Sequence, residues 1–187
     1  MKYSQYLEII RNQELRKMPE PRLEKLKQDK KERKKFRDVK PQILSKPAYM
    51  PIGRNTVILC DDLVFENEKY FIRVKKNFIT DGGSLPRLSW SLLGITPFDP
   101  RCVYAFFLHD FLYQSESLAR AENDTILSEA LKIPPSCNAF QNWLIWSHVR
   151  AYGWMVYKSH TPATIEQGRK AGEIATKKKL KLETVIQ

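Results

Sequence analysis

The sequence predicts an α+β protein: a small antiparallel sheet followed by a three- to four-helix bundle, with a charged helical N-terminal arm ahead of both. Three observations predict it. Short runs rich in Val, Ile, Phe and Tyr between residues 56 and 74 are separated by turn residues, which is the pattern of strands. From residue 102 onward, apolar side chains recur at helical spacing in longer segments. Residues 1–40 are dominated by charge. With 187 residues and 42% hydrophobic content, the chain has enough apolar surface for one core, and its length favours a single domain with extensions.

The elements follow in order. Residues 3–18 place Tyr6, Ile9 and Ile10 on one helical face, which ends before Pro19–Glu20–Pro21. Residues 22–38 contain good helix formers and i,i+4 pairs such as Asp29 with Arg33, but have apolar positions only at Leu23, Leu26 and Phe36. This helix is expected to be exposed or to lie along something acidic, and it completes an arm spanning 1–40. Pro41, Pro47 and Pro51 predict an extended linker over 41–55. Strands are predicted at Thr56–Cys60, Leu63–Glu66 and Lys69–Val74, the last two joined by a turn at Glu66–Asn67–Glu68. Helices follow at about 102–114, 118–132 and 137–158, with a fourth from about 164. Pro134–Pro135 ahead of Ser136 reads as a stop and an N-cap. The compact domain is thus expected over 56–158, with a basic tail over 159–187. Trp143, Trp146, Tyr152, Trp154 and Tyr157 are expected to be core residues.

The net charge of +11 is unevenly placed. Residues 1–40 hold 14 Lys and Arg against 7 Asp and Glu, residues 158–187 hold 7 against 3, and residues 41–157 hold 11 of each. A neutral body with basic ends suggests docking extensions, with nucleic acid, an acidic protein surface, anionic lipid or another copy of the chain as partner. The candidate contact residues are Arg22, Lys25, Lys30, Lys31, Arg33, Lys34 and Lys35, with nucleic acid one candidate along 22–40. A solvated tail that merely aids solubility is the alternative. Cys60, Cys102 and Cys137 are odd in number and widely spaced, which indicates neither a disulfide framework nor a thiolate zinc site. Charged residues interrupt the first twenty positions, so no signal peptide and no membrane-spanning run is expected.

The chemistry concentrates in residues 105–113, AFFLHDFLY. His109 and Tyr113 lie one helical turn apart, and Asp110 is beside them in an otherwise apolar segment. In the next helix, Asp124 falls in line with core-facing Leu127 and Leu131, where a carboxylate needs a partner. His109 is the natural one, with Tyr113 and Arg120 as further donors; such a carboxylate would fix the imidazole tautomer for general-base work. The turn at Asp81–Gly82–Gly83–Ser84 has two glycines for close backbone approach, and its oxygens with Asp110 form a candidate calcium site. The same residues also fit a buried network that only clamps two helices to the glycine turn, with Ser84 and Arg120 as its structural members. His148 and His160 have no zinc-ligand spacing with His109.

Thr80–Asp81–Gly82–Gly83–Ser84–Leu85–Pro86–Arg87, Trp90, His109–Asp110–Phe111–Leu112–Tyr113, Arg120, Asp124 and the aromatic helix 142–157 together resemble the phage and prophage family catalogued as domain of unknown function 1353. The likeness covers about residues 50–157. It departs at Asn123, where the family usually has Ala before the acid. It implies a phage gene, and with the basic ends it implies a virion-associated structural or accessory protein contacting tail, portal, capsid or genome, located in the virion or in host cytoplasm. The HDxxY helix is also similar to that of phospholipase A2. That similarity implies His109 as general base, Asp124 as its orienting acid, Tyr113 as support, and Asp110 with the Gly82–Gly83 turn as a calcium site. The cysteines that flank the motif there are missing, with Leu108 and Leu112 nearby instead. The alternative function is therefore a His/Asp hydrolase of phospholipid or cell envelope, acting on the way into or out of the host. A regulator binding host protein or nucleic acid is a further alternative.

Overall fold

Alternation of side chains decides which face of the sheet is buried. The computed structural model describes residues 40–83 and 94–177; the charged arm with its seven candidate contact residues, and Ser84 and Trp90, lie outside the described residues. Strands β4 (Leu63–Glu66) and β5 (Tyr70–Val74) pair antiparallel, with Leu63 opposite Val74 and Phe65 opposite Ile72. These four are fully buried, whereas Val64, Glu66, Phe71 and Arg73 alternate onto the other face. The turn between the strands is closed by Asn67, whose Oδ1 accepts the backbone N–H of Lys69 (2.9 Å) and of Tyr70 (2.7 Å).

Strand β1 (Gln42–Ser45) pairs with β4, and β7 (Gly172–Thr176) pairs with β5, giving an antiparallel sheet of order β1-β4-β5-β7. A second antiparallel sheet has the order β2-β3-β6, from Tyr49–Gly53, Thr56–Leu59 and Ile79–Thr80. Residues 41–55 are not a linker but hold β1 and β2. Pro51 is tolerated because β2 is an edge strand, where a missing N–H costs little in the ladder. The tail predicted over 159–187 contributes a helix and the last strand of the larger sheet.

Helix α1 (Val103–Ser115) is central: ten of its thirteen residues are buried, which explains why it lacks a polar stripe. It packs against α2 (Arg120–Ala130), α3 (Ala139–Ser159) and α4 (Pro162–Lys170), and against β4 and β6. Phe65, Phe107 and Phe111 are fully buried in the resulting core, each contributing about 1.5–3 kcal/mol by removal from water. Asn138, rather than the predicted Ser136, caps α3, in a reciprocal box with Gln141. Thr161 caps α4, with Pro162 at its first position. Gly168 lets α4 approach the Gln114 backbone so closely that a Cβ would come within 2.6 Å of it.

The aromatic residues of α3 differ from expectation. Trp143 is 58% exposed, and Trp146, Tyr152 and Trp154 are exposed as well; only Tyr157 is partly buried, edge-on to Tyr113. The buried line of α3 is made by Gln141, Asn142, Ile145 and Gly153. Among the described residues, no helix is long and apolar enough to cross a membrane.

Candidate functional site

Asp124 anchors the site. It is fully buried on α2, and three side chains from α1 and α3 converge on its two oxygens. Oδ1 accepts the Tyr113 hydroxyl at 2.6 Å and faces His109 Nε2 at 3.2 Å. Oδ2 accepts Arg150 Nη1 at 2.8 Å, while Arg120 Nη1 stands 3.9 Å away. Burial by itself would raise the Asp124 pKa, but the hydrogen bonds from His109, Tyr113 and Arg150 prevail and hold it below the usual carboxylate range. An ionised Asp124 can only accept, so His109 carries its proton on Nε2 and leaves Nδ1 as a lone pair.

Burial pushes the His109 pKa below its ordinary value, against the opposing pull of Asp124. The imidazole is therefore neutral at neutral pH. Nδ1 forms no hydrogen bond among the described residues, and the side chain, 10% exposed, lines an open cleft of about 1300 Å³. His109 is thus tied to Asp124 through Nε2 and also lines the cleft.

The second polar group in this cleft is the pair Asp81 and Asp110. Asp110 follows His109 on α1, and Asp81 follows β6 in the glycine turn. The Thr80 hydroxyl donates to Asp110 and accepts the Gly82 N–H at 3.0 Å. Burial first, and the Asp81 charge next, push Asp110 well above the usual carboxylate range. Gly82 has φ of +73°, and a Cβ on Gly83 would come within 2.7 Å of the Phe106 ring. The two glycines thereby let the turn lie against α1 and bring Asp81 to Asp110.

Calcium takes about six to eight oxygen ligands. Among the described residues, no group of three or more His, Cys, Asp or Glu is placed to hold a metal ion. Asp81, Gly82 and Gly83 of the turn and Asp110 of α1 all line the same cleft.

The structure brings together His109, Tyr113, Asp124, Asp81 and Asp110 around one cleft. Arg120 serves mainly the backbone of α3, donating to the carbonyls of Val149 (3.3 Å) and Arg150 (3.0 Å). Sequence reasoning missed Arg150 as the chief cation on Asp124, although it is the only charged residue between Lys132 and Lys158. It also missed Gly153, where any side chain would strike the Tyr113 hydroxyl.

An α+β domain with a buried Asp–His pair at the floor of a cleft is the class these features define. The model of the family described as protein of unknown function (DUF1353) matches residues 57–149, from β3 into α3, and this domain belongs to that family. No curated protein and no solved structure matches the chain.

Proposed function

We propose that the domain is a hydrolase in which His109, oriented by Asp124, is the general base and protonated Asp110 is the general acid. One observation carries this reading: His109 has Nε2 tied to the buried Asp124 carboxylate, has no hydrogen bond at Nδ1 among the described residues, and lines a cleft that also holds Asp110, whose pKa burial raises. Two groups whose environments push their pKa values apart form an acid and base assignment. In the step, water gives a proton to His109 Nδ1 as its oxygen bonds to the acyl carbon or phosphorus of an ester. The ester C–O or P–O bond breaks, and Asp110 gives its proton to the departing oxygen. Solvent then carries the proton from His109 back to Asp110. Tyr113 and Arg150 are positioning residues, since they act on Asp124. The cleft walls include Phe78, Phe106, Leu127 and Val149, so the substrate has an apolar part.

The test is hydrolysis of a panel of carboxylic and phosphoric esters by wild type, His109→Ala, Asp124→Asn and Asp110→Asn, with melts to verify folding. Turnover should fall by about 10²–10⁴ in His109→Ala, the usual worth of a positioned base. Turnover that survives His109→Ala defeats the reading.

A second reading concerns the ends of the chain. We propose that the excess of +7 over residues 1–40 docks the protein on an acidic partner, a virion component or nucleic acid, as the phage resemblance implies. Wild-type protein should co-purify with phage particles and lose retention when residues 1–40 are deleted. Recovery solely from the cytosol of infected cells would defeat it.

A further inference from the structure

The exposed aromatic side chains of α3 have no role in the core or in the cluster around Asp124. At helical spacing, Phe140, Trp143, Ser147, Ala151, Trp154 and Lys158 form one strip along the outside of the helix. Phe140 is 57% exposed, and its ring lies 6.2 Å from that of Trp143, centroid to centroid. Lys158 holds its ammonium 5.0 Å above the Trp154 ring. Beside this strip, Tyr152, Met155 and Val156 are each about half exposed and line the cleft that contains His109. Exposed apolar side chains are therefore present both on the outside of the helix and at the cleft. A monomer rarely exposes so much apolar surface without a use for it.

We propose that this face of α3 docks on an anionic lipid bilayer and that the cleft draws its substrate, a lipid ester, from that surface. The docking stands on the aromatic face; the choice of substrate rests on the hydrolase reading. Three observations favour lipid over other occupants. Trp and Tyr beside Lys is the composition of a membrane interface, where amphipathic rings sit at headgroup depth and lysine reaches the phosphates. The 21 residues of α3 include no Asp or Glu, and exposed Lys158 sits over Trp154, so the charge of this face complements anionic headgroups. A protein seated on Tyr152, Met155 and Val156 would cover the cleft, whereas a bilayer would feed it. The helix lies on such a surface and does not cross it, in keeping with its length and polarity.

Sedimentation with phosphatidylglycerol vesicles and with phosphatidylcholine vesicles tests the docking. Wild type should bind the former more tightly, with a blue shift in tryptophan emission. The double variant Trp143→Ser/Trp154→Ser should lose roughly tenfold or more in vesicle affinity, as expected for removing interfacial aromatic area. It should melt with wild type and keep its turnover of a short-chain, monomeric ester. His109→Ala should bind vesicles as wild type does while hydrolysing nothing. Vesicle binding without turnover by any variant would leave docking standing and defeat the hydrolase reading alone. Three outcomes overturn the docking: no binding to phosphatidylglycerol vesicles, binding indifferent to the two substitutions, or a solution dimer that the double variant dissociates, which would make a second copy the occupant.

Discussion

Arg150 Nη1 lies 2.8 Å from Asp124 Oδ2, a contact between the middle of α3 and the buried face of α2. The carboxylate is fully buried, while the guanidinium side chain is about a third exposed. Removing the arginine leaves a charge in the interior with Arg120 too distant, at 3.9 Å, to replace it. Arg150→Met should therefore cost about 2–3 kcal/mol, less than a wholly buried pair because water reaches the arginine. Urea unfolding measures it, and an unchanged midpoint would show that the contact carries no stability. Arg150→Lys should recover only part, since one ammonium cannot reproduce the guanidinium geometry.

Gly153 and Tyr113 give a sharper test of the site's packing. A Cβ at position 153 would collide with the Tyr113 hydroxyl and approach its ring carbons to 3.1 Å. Gly153→Ala should destabilise by about 1–3 kcal/mol through overpacking, despite the better helix propensity of alanine. Adding Tyr113→Phe removes the colliding oxygen, so the double variant should be more stable than the sum of the two single changes predicts. A double-mutant cycle by chemical denaturation reads this coupling, and additivity would mean the helices simply move apart.

These residues also mark how far the sequence carries. The hydrophobic repeat placed the first three helices within a few residues of their observed ends, and the start of the fourth, because periodicity is local. His109, Tyr113 and Asp124 were legible for the same reason: polar groups in apolar stripes demand partners, and the nearest helix supplies them. Arg150 and Gly153 were not, because their importance depends on how α3 crosses α1 and α2, which no local pattern encodes. Strands β1 and β7 were missed because each is an edge strand of four or five residues, β1 among prolines and β7 about a hundred residues from its partner β5. The aromatic residues of α3 were placed in the core on composition alone; the helix turns its Gln141, Asn142 and Ile145 inward instead.

The pH dependence follows from two opposite shifts. His109 has its pKa lowered, so below about pH 6.5 the unfolded chain takes up a proton that the native protein refuses, and stability falls as the pH drops. Asp110 has its pKa raised, so between about pH 3.8 and its elevated value the native protein keeps a proton that the unfolded chain has lost. Its contribution is present at low pH and is lost as the pH rises through that window. Asp110→Asn should flatten this loss and stabilise the protein at neutral pH, while removing the general acid of catalysis. Melting temperature against pH for both proteins distinguishes this from a carboxylate that is ionised throughout, for which asparagine would leave the neutral-pH slope unchanged. Ester turnover should rise with the deprotonation of His109 and fall as Asp110 loses its proton, giving a bell-shaped profile.

Residues 160–177 are structural rather than a removable tail. Gly172 packs against the Phe111 ring so tightly that a Cβ would come within 2.5 Å of it, and β7 pairs along the whole of β5 from Tyr70 opposite Thr176 to Val74 opposite Gly172. His160 and Arg169 add contacts, His160 Nδ1 at 2.8 Å from Glu116 and Arg169 Nε donating to the Ser115 carbonyl at 3.1 Å. Ending the chain after Ser159 would bare the α4 side of α1 and the ladder edge of β5 together. An open edge beside exposed Phe111 is a template for aggregation. The truncated protein should be insoluble or lack a cooperative melt, whereas ending the chain after Lys177 should leave the melting temperature within a few degrees of wild type. A soluble, cooperatively folding 1–159 fragment would show that α4 and β7 are dispensable and that the larger sheet is complete at three strands.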